Sequence, residues 1–362
     1  MGVGRNWDYR FTWIRDATLT LASLVILGSL GEAGAFKGWL ERTAAGRPED
    51  LQIMYRITGE RLLPEVELDH LSGHRDSRPV RVGNGAAGQV QLDSYGQIIE
   101  AAYGFAEAGG ELTVSNGEFL TRVADLAVAS WRRPDQGIWE IRDEPRHFVH
   151  SKLNCWVALD RAVRLAEAGQ IAGDVDQWRH ERDLLDDGLR SEGSPDGWFT
   201  QAGGRPVADA ATLLVPALGF LPVAHPDVTR TVETVTRDLS DGTLVHRYLD
   251  PDGLDGKEGS FLLCSFWLLD CLTHAGRLDE ADELMDALLG HANDVGVFSE
   301  MVDPDTGEAL GNTPQAFTHM AVVTSADALT AARRGDLPPP DQAYAFALEA
   351  IRRRQRAAEA AG

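Results

Sequence analysis

Hydrophobic positions recur along this chain with helical rather than strand periodicity, and the helices they predict are of two kinds. One kind is apolar nearly all round: 17–28, 93–109, 151–169, 209–221, 259–276 and 314–332. The other is striped. In LDEADELMDALLGHA, Leu278, Ala281, Leu284, Met285, Leu288 and Leu289 fall at i, i+3, i+6, i+7, i+10 and i+11, which gathers them on one face. A helix apolar on every side is buried on every side, whereas a striped helix keeps one face in water. Alternation of the two kinds, six times over, predicts an inner ring wrapped by an outer ring. The expected fold is therefore all-α, an (α/α)6 barrel, and the absence of a composition break predicts one domain over 1–362.

The segments leading from an outer helix to the next inner one are long and rich in Gly, Pro, Asp and aromatics: 46–92, 133–149, 192–206, 240–258 and 293–313. Long loops on one rim of a rigid scaffold are where chemistry is usually carried. The rim segments include NWDYRFTWIRD, RPVRVGNGAAGQVQLD, PDQGIWEIRDEPRHFVHSK, LVHRYLDPDGLDGKEGSF and GVFSEMVDPDTGEALGNTPQAFTH. Four of the five mix aromatics with charged or amide groups, and RPVRVGNGAAGQVQLD adds charged and amide groups alone. A pyranose asks for that mixture, since it has an apolar face to stack and hydroxyls to hydrogen-bond.

Two glutamates stand out, Glu140 after Trp139 and Glu300 after Phe298 and Ser299, each following a glycine turn and each just ahead of a helix. Glycoside hydrolysis needs a pair of carboxyls, one that gives a proton to the leaving oxygen and one that is ionised. An indole desolvates a neighbouring carboxyl and raises its pKa, so Glu140 beside Trp139 suits the acid. Glu300, among further acids and amides, suits the base.

The bulk properties narrow the field. The chain has 362 residues, 43% hydrophobic and 25% charged, with a formal net charge of −22. Such a balance makes nucleic acid and acidic membrane surfaces poor partners. Three cysteines, Cys155, Cys264 and Cys271, give no disulfide framework. His70 and His74 in DHLSGH have a spacing suited to a metal on a helix, but Gly73 lies between them and no third ligand stands near, so no metal is expected. VGNGAAG follows no βαβ pattern and is a weak nucleotide signal. There is no recognisable signal peptide and no apolar run of about 18 residues, from which a cytoplasmic protein is expected.

The segments NWDYRFTWIRDA, GIWEIR…RHFVHSK, DGLDGKEGSFLLCSFWLLD and SEMVDPDTGEALGNTPQAFTH resemble glycoside hydrolase family 15, the glucoamylase, trehalase and glucodextranase family, in the right order to about residue 332. The resemblance implies an (α/α)6 barrel and hydrolysis of α-glucosidic bonds from the non-reducing end with inversion, without metal or organic cofactor. By motif, Glu140 matches the general acid and Glu300 the general base. Arg15 and Asp16 match the pair holding the hydroxyls of the first glucose, and Tyr9 and Trp13 match aromatics lining that subsite. Arg247 matches a substrate-binding arginine, and Glu258 lies in a family-like segment. With Trp139, these form the expected substrate-binding set.

Three departures matter. Bacterial members usually carry a β-sandwich domain and a first outer helix ahead of NWDYRF, and here that motif starts at residue 6. The segment 341–360 reads as a further helix with Tyr344, Ala347, Leu348 and Ile351 on one stripe. Either it closes the ring from the other terminus, or the chain is a fragment. Position 141 is Ile where fungal glucoamylases have a second acid, which argues against starch-type specificity, and an acidic, intracellular protein without a starch-binding module is expected to favour a small oligosaccharide or trehalose over raw starch. An inverting phosphorylase and an inactive sugar-binding member are the alternative readings; SEMVD argues against the first.

Overall fold

The computed structural model describes residues 5–44, 48–107, 109–252 and 258–339. Its α-helices are α1 (Ile14–Ile26), α2 (Leu30–Ala44), α3 (Asp93–Glu107), α4 (Val114–Ser130), α5 (Val149–Glu167), α6 (Val175–Ser191), α7 (Leu214–Ala217), α8 (Pro226–Leu239), α9 (Leu262–His274), α10 (Leu278–Leu289) and α11 (Ala316–Arg333). The odd-numbered helices make the inner ring. Going round, α1 packs on α3 and α11, α3 on α5, α5 on the turn Ala210–Leu213 that leads into α7, that turn on α9, and α9 on α11. The outer helices cover the seams: α2 lies on α1, α4 on α3 and α5, α6 on α5, α8 on α9, and α10 on α9 and α11. This is the (α/α)6 arrangement. The proposed closing helix 341–360 lies outside the described residues.

Burial separates the two kinds of helix as their patterns require. In α5, 15 of 19 residues are buried, whereas α6 buries only Trp178, Leu185 and Leu189. An inner helix can even hide a charge if it is paired on all sides. Arg161 of α5 is fully buried, with its guanidinium on Glu100 (2.7 Å), Asp160 (2.5 Å) and the Leu218 carbonyl (3.0 Å). It thereby ties α5 to α3 and to the end of α7.

One inner helix departs from expectation. The continuous helix predicted over 209–221 is a 3-10 turn, Ala210–Leu213, running into the single turn of α7. Pro216 removes a backbone donor inside the segment, and Gly219, at φ +74°, ends it. The sequence DHLSGH forms no α-helix either: His70 and His74 are exposed, and His74 opens a short 3-10 turn, His74–Asp76.

Strands are confined to short ladders on the rim where the inner helices begin. Thr12–Trp13 pairs with Met54–Tyr55 and leads into α1. Ser260–Phe261 pairs with Met301–Val302, which pairs in turn with Ala309–Leu310. These ladders fix the loops that carry the site. Among the described residues no helix is long and apolar enough to cross a membrane.

Candidate active site

Glu140 stands on a tight turn ahead of α5. Gly137 is at φ +69°, and a Cβ there would lie 2.8 Å from the Phe148 ring, so this position needs glycine for both conformation and space. Phe148 of HFVHSK therefore braces the turn. Glu140 itself adopts φ +57°, a left-handed conformation that costs a non-glycine residue about 1–3 kcal/mol and is met most often at functional sites. The turn is held by Glu140 N–H on the Gly137 carbonyl (3.2 Å), by Gln89 Nε2 on the Glu140 carbonyl (3.2 Å) and by Arg15 on the Ile138 carbonyl (2.6 Å). The strain is thus fixed by partners from two other segments.

The Glu140 side chain is half-buried. Its Oε1 accepts from the Trp13 indole N–H (2.7 Å) and lies 3.5 Å from Arg15. The indole that grips it is therefore Trp13, not its neighbour Trp139. Trp139 is buried, and its N–H goes to both oxygens of Asp209 (2.8 and 3.0 Å). Its ring packs against Phe261, Tyr248 and Trp267. The indole contact expected from adjacency comes instead from 127 residues away, and as a hydrogen bond.

Glu300 comes from the opposite side of the ring, just before the strand Met301–Val302. Its backbone carbonyl accepts from Leu262 N–H at the start of α9 (3.2 Å), and its N–H donates to Asn312 O (2.9 Å). Asn312 N–H returns to the side-chain Oε2 at 3.0 Å. A Cβ on Gly311, which is at φ +72°, would sit 2.5 Å from that oxygen, so the carboxyl is packed directly on bare backbone. Glu300 is buried. Burial is the main reason its pKa is pushed up to about 7, against the opposing effects of the Asn312 hydrogen bond and the Arg247 charge.

Between them lies Arg247, held to Glu258 by two contacts, one of them Nε to Oε2 at 3.0 Å, and set over the rings of Trp139 (5.1 Å), Tyr248 (5.3 Å) and Phe261 (5.4 Å). Glu258 also faces Arg5 (3.6 Å), which is fixed to Asp252 (2.8 Å). Burial of the part-buried Arg247 guanidinium acts to lower its pKa, and Glu258 more than offsets that and raises it.

Tyr9, Trp139, Glu140, Arg247, Glu258 and Glu300 line one pocket. Trp13 and Arg15 act on it through Glu140. Asp16 stays close to Arg15 (3.7 Å), and burial lifts its carboxyl to about 6. Arg15 also lies over the Phe317 ring (5.1 Å) and faces the hollow along the barrel axis, which Trp267 lines as well. Beyond the expected substrate-binding set, the pocket brings in Trp7, Asn84, Arg142, Tyr248 and Asp252. Asp8 has a structural task. Its carboxylate takes Gly83 N–H (3.0 Å), and its carbonyl takes Asn84 Nδ2 (3.3 Å), which clamps VGNG beneath the pocket rim.

The profile of the family described as "Glycosyl hydrolases family 15" matches residues 3–279 and 278–327. The chain belongs to glycosyl hydrolases family 15. Its relatives include the "Trehalase" of Mycobacterium tuberculosis, 41% identical over 332 residues, covering 89% of this chain and 48% of that protein. The "Trehalase" of Thermoplasma volcanium is 36% identical over 332 residues, covering 91% of this chain and 53% of that protein. The chain thus spans about half the length of these curated relatives. Among solved structures, a glycosidase in complex with glucose superposes with a TM-score of 0.71 at 21% identity, over 91% of this chain and 89% of that one. A bacterial glucoamylase complexed with acarbose gives 0.69 at 16% identity, over 94% and 51%. These two likenesses establish the fold of this family 15 chain.

Proposed function

We propose that this chain hydrolyses small α-glucosides, trehalose first among them, by an inverting acid–base mechanism that releases β-glucose. The observation carrying this reading is the pairing of Glu140 and Glu300 on one pocket from sequence positions 160 residues apart, with the part-buried Arg247 beside them. The names of the relatives support trehalose as the first substrate.

In this mechanism Glu140 gives its proton to the glycosidic oxygen as the bond to the anomeric carbon breaks. Its Oε1 is already engaged by Trp13, and Oε2 takes no hydrogen bond among the described residues, which leaves it for the leaving oxygen. Glu300 removes a proton from a water that adds to the opposite face of the sugar. Arg247, Tyr9 and Glu258 hold hydroxyls of the sugar in the pocket. Incubation with trehalose, isomaltose and maltose, followed by NMR of the anomeric protons, tests the reading. From trehalose one β-glucose and one α-glucose are expected, since the leaving sugar keeps its configuration, and from isomaltose or maltose the glucose freed from the non-reducing end is expected as β. α-Glucose alone from trehalose, or α-glucose from the non-reducing end of the others, rejects inversion, and no glucose from any of the three rejects the hydrolase.

The buried position of Glu300 predicts the pH dependence. A base works only when ionised, and a carboxyl lifted to about 7 is ionised above that pH and protonated below it. kcat/KM should therefore fall as pH drops through about 7, by about tenfold per pH unit below it. An acid limb in the ordinary carboxylate range of about 4 would mean that the pocket does not keep this group desolvated.

A further inference from the structure

The catalytic pair accounts for bond cleavage but leaves a second cluster at the same pocket without a task. Trp7 lies on the pocket wall, and the guanidinium of Arg142 stands 3.8 Å from its ring centroid and that of Arg81 4.3 Å. Both arginines reach Glu65: Arg142 through two nitrogens at 3.3 and 3.1 Å, Arg81 at 3.7 Å. Glu65 is pinned by Gly85 N–H at 2.9 Å, and Arg81 is pinned by the Asn6 carbonyl at 2.8 Å. An indole held this firmly at a pocket wall is a preformed platform, and its ordering cost is already met.

We propose that Trp7 and Arg142 form the site for the sugar that leaves, and so select a hydroxyl-bearing leaving group. This rests on the hydrolase reading above. The leaving ring must lie beside the acid that protonates its oxygen, and Arg142 follows Glu140 by two residues on the same loop. Ile141, between them, is buried and offers no polar group. Arg142 has five N–H donors and spends two on Glu65, which leaves donors for hydroxyl oxygens. The Trp7 ring, stacked by both guanidiniums, holds Arg142 at the pocket wall and offers its remaining apolar surface to the pyranose. A leaving group without hydroxyls gains little from the guanidinium, and fluoride gains nothing from either residue.

The test compares the full chain with Trp7→Ala, Trp7→Phe and Arg142→Ala on two substrates. One is whichever of trehalose, isomaltose and maltose the parent cleaves fastest; the other is α-glucosyl fluoride, which has no leaving sugar. The ratio of kcat/KM for the disaccharide to that for the fluoride should fall about 10–100-fold in Trp7→Ala and Arg142→Ala. Trp7→Phe, which keeps a ring, should recover most of it. Equal losses on both substrates, which a merely structural role would give, overturn the proposal. So does a parent that cleaves the fluoride but none of the disaccharides. A parent inactive on every substrate rejects the hydrolase reading itself, which separates the two failures.

Discussion

Glu140→Gln is expected to lose about 10²–10⁴-fold of its turnover on a disaccharide while keeping most of its rate on α-glucosyl fluoride. A sugar alkoxide cannot leave without a proton, but fluoride can. The amide oxygen of Gln still accepts the Trp13 N–H that holds Glu140 at 2.7 Å, so the side chain should stay in place. Gln also occupies the left-handed backbone at φ +57° about as well as Glu does. The substitution therefore removes a transferable proton and little else. Steady-state kinetics on both substrates, with a thermal midpoint to show an intact fold, checks this. Equal loss on both substrates would deny Glu140 the acid's role.

The ring of helices is legible because it rests on local periodicity: α5 and α9 are buried nearly all round and α10 is striped, and the packing follows from those patterns. The fourth inner helix departs from its pattern for a local reason as well. Leucines and alanines around 213–218 outweigh one proline in a pattern, yet that proline and Gly219 decide where hydrogen bonding stops. The site is a different problem. Glu140 and Glu300 could be singled out by their motifs, but nothing nearby in the chain indicates that Trp13 rather than Trp139 meets Glu140. That partnership is made by the turn into α1 folding against the turn into α5. Trp7, Arg142 and Glu65 show the same limit, since a tryptophan and an arginine 135 residues apart carry no mutual signal in sequence.

The lifted pKa of Glu300 would also suit an acid, so the division of labour between the two glutamates needs an experiment that distinguishes them. Glu300→Gln is expected to lose about 10²–10⁴-fold on the disaccharide and a comparable factor on α-glucosyl fluoride, because both reactions need an activated water. Gln can also present its amide nitrogen to Asn312 N–H, which now donates to Oε2 at 3.0 Å, and a nitrogen there cannot accept that bond. The side chain has little room to adjust, because the carboxyl rests on the bare backbone of Gly311. Glu300→Ala opens that space instead. Azide, a small anion that attacks carbon without giving up a proton, should then restore fluoride cleavage, displacing fluoride and forming β-glucosyl azide. If azide rescues the Glu300 variant and not a Glu140 variant, the water side of the reaction belongs to Glu300. The reverse pattern would exchange the two roles while leaving the pocket and its sugar site in place.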